Sequence, residues 1–319
     1  MGSDYARPVV AAGPAAARGL ARWTALFEAL RPYQWPKNAI VFAALAFSAG
    51  DAWKPSEADS WWPLLWRTVV LLALWCAVSS AVYLVNDILD CEADRFHPRK
   101  RMRPIARGDV SPVLASRAAA VLLAVSVPLA FTLSVEAGAL LSGYAVLMIL
   151  YSWRLKRVAI LDVLILCAGV LVRAVSGALV IDVEISPWLY VCTSFAAFFF
   201  ATSKRWAEYR QLGPEAIQHR PALAQYTGEI LSQLVVISAA SALLSYALYT
   251  VEAPTVPRNG AMALTIPFVA FGLFRYLLLL NGERRTDAPD RILFTDPQIL
   301  VAVLGFVVTA MIVLVHHQS

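Results

Sequence analysis

The chain has 319 residues, of which 59% are hydrophobic and only 15% charged, and its net charge is +5. An ordinary soluble domain has about 45–50% apolar and about 25% charged residues. Here the apolar excess gathers in runs of about 20 residues, the length that crosses a bilayer, which excludes a soluble multidomain protein.

From the N-terminus, residues 1–13 read as a disordered Ala-rich leader and residues 14–319 as a single transmembrane catalytic domain. Residues 1–35 lack the continuous apolar core of a signal peptide and carry Arg18, Arg22 and Arg31. Over 14–31, Leu20, Trp23, Phe27 and Leu30 recur at helical spacing with arginines elsewhere, which predicts a helix lying in the membrane interface. Nine spans follow, at roughly 38–53, 64–88, 112–132, 136–153, 159–181, 187–206, 230–250, 261–281 and 297–315. The first is the shortest. A helix satisfies every backbone group inside lipid, so the expected fold is all-α, a polytopic bundle of about nine transmembrane helices.

The loops alternate in charge. Arg18, Arg22, Arg31 and Lys37 precede the first span; Arg95, Arg99, Lys100, Arg101, Arg103 and Arg107 follow the second. Arg154, Lys156 and Arg157 follow the fourth; Lys204, Arg205, Arg210 and Arg220 the sixth; Arg284, Arg285 and Arg291 the eighth. The opposite loops carry only Lys54 and Arg258. Positively charged loops stay inside, which predicts a cytoplasmic N-terminus and an external C-terminus. Bases split among short loops do not form a nucleic-acid surface. Cys76, Cys91, Cys167 and Cys192 form no C-x-x-C pair, and the four histidines have no metal-ligand spacing.

The chemistry concentrates where the second span ends, in Asn86-Asp87-Ile88-Leu89-Asp90-Cys91-Glu92-Ala93-Asp94. Residues four apart share a helix face, about 6 Å apart along the axis. Asn86, Asp90 and Asp94 thus form a ladder with Asp87 beside it. Carboxylates on one face repel unless a cation lies between them, and acids at a membrane point to function. Mg²⁺ suits this set, since it takes oxygen ligands, often one or two carboxylates plus substrate phosphates. The bland reading is an acidic helix end that pairs with the arginines after it. Those arginines run from Arg95 to Arg107 and have the forked geometry that grips phosphate oxygens.

The N-D-x-x-D-x-x-x-D pattern, the Arg103-Pro104 pair and Tyr151-Ser152 with Lys156 resemble the UbiA superfamily of intramembrane prenyltransferases, over nearly the whole chain. The resemblance implies Mg²⁺ with a donor diphosphate on Asn86, Asp90 and Asp94, with Asp87 as a member. It implies diphosphate contacts from Arg103, Tyr151 and Lys156, with Arg95, Arg101 and Arg157 in the surrounding basic set. Family members carry a second aspartate-rich motif after span 6, but here Ser203-Lys204-Arg205-Trp206-Ala207-Glu208-Tyr209-Arg210 stands in its place. Bases in place of acids suit a donor with one more phosphate. That feature, with the Arg31-Pro32-x-Gln34-Trp35-x-Lys37-Asn38 opening, resembles the family's phosphoribosyltransferase branch. That branch implies phosphoribosyl pyrophosphate (PRPP) as donor, polyprenyl (decaprenyl) phosphate as acceptor, a role in cell-wall arabinan precursor synthesis, and a homo-oligomer, with a trimer as its candidate form.

On this reading Lys204 and Arg205 hold the ribose 5-phosphate, Lys37 reaches either phosphate, and Glu208 assists a metal or binds a ribose hydroxyl. The bland reading of the basic residues is a side chain anchored at a span end. Arg173 lies in mid-span and needs a partner. Asp162 is a candidate, although it lies three turns away along one helix, and a pairing with another helix competes with it. The loop 282–296, with Arg284, Arg285, Asp287 and Asp290, reads as a lid or a solvated turn. Two alternatives remain: a lipid-donor prenyltransferase with an aromatic acceptor, which calls for an acidic second motif, and a transporter, which calls for charges near the midplane.

Overall fold

A computed structural model describes residues 15–316 apart from 50–51, 55, 98–99, 213–220, 255, 283–291 and 294. The expected leader 1–13 and most of the 282–296 loop lie outside the described residues. Helices make up nearly all of the rest, and the described residues contain no strand beyond an isolated bridge between Ala49 and Trp53.

Helix α1 (Ala15–Ala29) packs Ala25, Leu26 and Ala29 inward and leaves Trp23 and Phe27 exposed, as an amphipathic surface helix does. A 3-10 segment, Pro32–Phe42, follows, then the short α2 (Ala43–Phe47). The predicted first span is therefore not one continuous α-helix. Its first residues, Asn38 to Phe42, belong to the 3-10 segment, and only Ala43–Phe47 are α-helical.

The bundle proper is α3 (Ala58–Leu89), α4 (Cys91–Phe96), α5 (Pro112–Leu133), α6 (Val135–Trp153), α7 (Leu161–Val180), α8 (Pro187–Leu212), α9 (Gly228–Glu252), α10 (Ile266–Asn281) and α11 (Pro297–His316). Among the described residues, seven helices are long and apolar enough to cross a membrane: α3, α5, α6, α7, α9, α10 with the turn before it, and α11. Helix α8 is long enough, but buries Thr193, Thr202 and Ser203 and is less apolar. The chain is a multi-pass membrane protein.

Each long helix packs on its neighbours in sequence, α3 on α5, α5 on α6, α6 on α7, α7 on α8, α8 on α9 and α10 on α11, so the array is antiparallel. One apolar core lies between α3, α6 and α7 around Trp75, Leu141 and Ile181; another lies between α8, α9 and α10 around Phe199, Val235 and Tyr276. The outer face is apolar as well: Val236, Ile237, Phe274, Leu278, Val301 and Leu304 are all exposed. A soluble monomer seldom exposes so wide an apolar surface; here it faces lipid. The antiparallel order brings the ends of α3 and α6, the start of α7 and the end of α8 together at one end of the bundle. The sequence places its charged loops at that same end.

Candidate active site

The site begins where α3 ends. The Asp90 amide donates to the Asn86 carbonyl (2.9 Å) and the Asp94 amide to the Asp90 carbonyl (2.8 Å), so the four-residue ladder survives the break between α3 and α4. Asp87 and Asp94 are buried; Asn86 and Asp90 are half-buried. Each carboxylate meets a base from another part of the chain. Arg103 Nη1 lies 3.0 Å from Asp87 Oδ1 and 2.6 Å from Asp94 Oδ2. Arg31 donates to the same Asp87 oxygen (2.5 Å), and Lys156 Nζ to Asp90 Oδ1 (2.5 Å). The bland reading is thus also true: the acids do pair with arginines. Burial pushes the Asp94 carboxyl above its ordinary value, although Arg103 and Lys100 pull it the other way.

The donor set can be weighed against Mg²⁺ on this geometry. Among the described residues no three His, Cys, Asp or Glu side chains are arranged to hold a metal by themselves. Yet one guanidinium nitrogen lies within hydrogen-bond reach of both Asp87 and Asp94, so a cation already bridges these two carboxylates. Mg²⁺ typically uses one or two carboxylates and completes its shell with water and phosphate. A hard-oxygen set of Asn86, Asp87, Asp90 and Asp94 fits that habit.

A second cluster lies across the corner between α6 and α7. Arg205 on α8 is only 1% exposed. Its Nε donates to Asp162 Oδ2 (2.5 Å), its Nη1 to Glu208 Oε2 (2.8 Å) and its Nη2 to the Tyr151 hydroxyl (3.4 Å). Tyr226 braces the same acid, donating to Asp162 Oδ1 (3.3 Å) and accepting from the Ile160 amide (2.5 Å). Ile160 itself has φ 66°, a conformation rare for a β-branched residue, and persists because the Tyr226 contact and the helix that follows hold it. The corner joins the clusters: Tyr151 on α6 touches Arg205, and Lys156, five residues later, touches Asp90. Lys204 is half-buried beside them, and the buried Ser203 hydroxyl has no hydrogen-bond partner among the described residues.

Lys37, Arg101 and Arg157 are exposed. Arg95 pairs with its helix neighbour Glu92 (2.9 Å) and donates to the Ala106 carbonyl (3.3 Å). The candidate Arg173–Asp162 pairing does not form: the two lie three turns apart on α7, and Asp162 pairs with Arg205 instead. Arg173 instead donates to Asn38, Gly169, Ser79 and Tyr144. Reasoning from sequence also left Arg31 out of the site. Its signal was its place in the Arg31-Pro32-x-Gln34-Trp35-x-Lys37-Asn38 opening.

Residues 36–296 match the UbiA prenyltransferase family. The decaprenyl-phosphate phosphoribosyltransferase of Mycolicibacterium smegmatis is 29% identical over 292 residues, covering 89% of this chain and 90% of that protein. The protein of that name from Corynebacterium glutamicum is 31% identical over 291 residues, 88% of this chain and 84% of that one. The structure of a UbiA homolog from Archaeoglobus fulgidus bound to GPP and Mg²⁺ superposes with a TM-score of 0.68, covering 91% of this chain and 99% of that one at 19% identity.

Proposed function

Since the chain belongs to the UbiA prenyltransferase family, we propose that it transfers 5-phosphoribosyl from PRPP to a polyprenyl phosphate, decaprenyl phosphate in the first instance, and releases pyrophosphate. The observation that carries the choice of donor is the Lys204–Arg205 pair on α8. Arg205 touches Tyr151 at the end of α6, and Lys156, five residues on, touches Asp90 of the carboxylate ladder. Two anion-binding regions at one end of a bundle suit a donor with a diphosphate at one end and a phosphate at the other. The names borne by the full-length relatives support the same choice.

In this reading Asn86, Asp87, Asp90 and Asp94 hold Mg²⁺ with the diphosphate. The metal supplies neutralisation of the charge that develops on the leaving group. Arg103, Arg31 and Lys156 sit on the carboxylates and turn onto phosphate oxygens when the donor binds; their charge-assisted bonds fix its orientation. Arg95, Arg101, Arg157 and Lys37 add positive potential around them. Lys204 holds the ribose 5-phosphate. The fork of Arg205 is already engaged by Asp162, Glu208 and Tyr151, so it meets that phosphate only by exchanging a partner, and otherwise orients Glu208 toward the ribose. The acceptor phosphate is ionised at neutral pH and needs no general base. Its oxygen forms the bond to ribose C1 as the bond from C1 to the diphosphate breaks.

The site faces the cytoplasm, where the basic loops gather, in a cell membrane that α1 lines along its interface. The N-terminus is then cytoplasmic, the C-terminus external and the assembly a homo-oligomer. The test is incubation of purified protein with labelled PRPP and decaprenyl phosphate. Label should enter the lipid with release of pyrophosphate and stop on chelation. Label entering an aromatic acceptor from a prenyl diphosphate would assign the other donor.

A further inference from the structure

The 3-10 segment Pro32–Phe42 is eleven residues long, whereas such runs seldom exceed three or four. Its entry residue, Arg31, has φ 57° and ψ 57°, a left-handed conformation that a non-glycine residue keeps only when its surroundings impose it. The surroundings act at both ends. Near the carboxylates, the Ser80 hydroxyl donates to the Leu30 carbonyl (2.8 Å) and accepts from the Trp35 indole (3.0 Å). Arg31 itself lies over the Tyr83 ring (4.9 Å) as it reaches Asp87.

The other end is fixed deep in the bundle. Arg173 Nε donates to Asn38 Oδ1 (2.7 Å). One turn on, the Val41 backbone lies so close to α7 that a Cβ at Gly177 would collide with its carbonyl oxygen. Arg173 is 9% exposed, donates to Ser79 (3.1 Å) and Tyr144 (2.7 Å), and lies over the Trp75 and Tyr144 rings at 4.9 and 4.5 Å. The hydrogen-bond acceptors of this buried cation are all neutral. Burying a charge without a counter-charge is costly, and here the guanidinium ties the 3-10 segment, α3, α6 and α7 together. Ser79 and Asp87 are eight residues apart on α3, about 12 Å along the axis, so Arg173 does not act by touching the carboxylates.

We propose that Arg173 is a positioning residue. Through Asn38, and with Gly177, it sets where the 3-10 segment lies and so delivers Arg31, at the entry of that segment, to the diphosphate of the donor. The proposal rests on the phosphoribosyl-transfer reading for its consequence, but not for its structural part.

The test uses the purified full chain and the variants Arg173→Ala, Asn38→Leu, Asn38→Asp and Gly177→Ala. Hydrogen exchange should quicken across residues 32–42 in all but Asn38→Asp, and stay unchanged across 112–133 of α5. The KM for PRPP should rise about tenfold, the loss of one charge-assisted hydrogen bond, with the KM for polyprenyl phosphate unmoved. Asn38→Asp keeps the acceptor and should stay near wild type. Arg31 and Arg173 do not touch, so a merely structural role would make the losses of Arg31→Ala and Arg173→Ala additive; positioning makes the double variant no worse than the poorer single one. If Arg173→Ala does not fold, Asn38→Leu and Gly177→Ala decide. Unchanged exchange over 32–42, or additive losses that move both KM values alike, would overturn the proposal. A wild-type protein that transfers no phosphoribosyl group would sink the functional reading alone, because the exchange measurement would still decide the positioning.

Discussion

Asp162→Ala is the most searching perturbation of the second cluster. Asp162 and Arg205 are 0% and 1% exposed, and their atoms approach to 2.5 Å. Removing one member of a buried pair leaves the other charge without compensation and costs about 3–5 kcal/mol. Glu208 still holds Nη1 of Arg205 at 2.8 Å, which places the loss at about 3 kcal/mol. Tyr226 also loses its acceptor, adding about 1 kcal/mol. Thermal unfolding in detergent, followed by tryptophan fluorescence, should show Tm lower by roughly 5–10 °C. Replacing both members with apolar residues of similar volume, Asp162→Leu with Arg205→Met, should restore most of that loss, because paired burial adds little net stability. The double variant should nevertheless lose phosphoribosyl transfer, since Glu208 and Tyr151 no longer have the guanidinium that orients them. A single Asp162→Ala variant that melts within about 1 °C of wild type would refute the reasoning, as would an active double variant.

Three further outcomes follow from the same geometry. Asp90→Ala or Asp94→Ala should reduce transfer by at least about a hundredfold at saturating Mg²⁺, the scale of losing a preorganised electrostatic contact, and full retained activity would remove that residue from the metal site. Lys204→Ala should raise the KM for PRPP with kcat little changed, as loss of a donor contact does; an unchanged KM would take Lys204 out of the donor site. Asp296 caps α11 by accepting from the Gln298 (3.1 Å) and Ile299 (3.0 Å) amides, and Arg275 at 2.9 Å holds its carboxyl below the ordinary carboxylate range. A depressed folded pKa gives stability that is present above the unfolded value, about 4, and is lost as pH falls through the folded one. Asp296→Asn should therefore flatten the acid side of the stability profile, which pH-dependent unfolding of the two proteins would measure.

The carboxylate ladder was legible because four-residue spacing on a helix is a local rule, and it survives the kink at Asp90. Lys204, Arg205 and Glu208 were legible because they fall within one short run on a helix. Partners were not. Arg31 and Asp87 are 56 residues apart and Arg205 and Asp162 are 43 apart, and no periodicity within one helix announces a contact between two. Arg173 called for a partner on another helix as much as for Asp162, and the bundle supplies Asn38, Ser79 and Tyr144, which no local pattern names. Hydropathy found the stretch 38–53 but not its form, because the hold of Gly177 and Arg173 on it is tertiary. Polar residues buried on α8 lowered its apolar character without stopping it from forming a helix.

Transfer itself is the most direct test of the account. Purified protein is given PRPP labelled in the ribose, decaprenyl phosphate and Mg²⁺, and both the lipid fraction and free pyrophosphate are measured. The account predicts a labelled phosphoribosyl lipid formed in equal amount to pyrophosphate, abolished by chelation and by Asp90→Ala. Label that stays in the aqueous phase in active, folded protein, while a prenyl diphosphate is consumed instead, would contradict it.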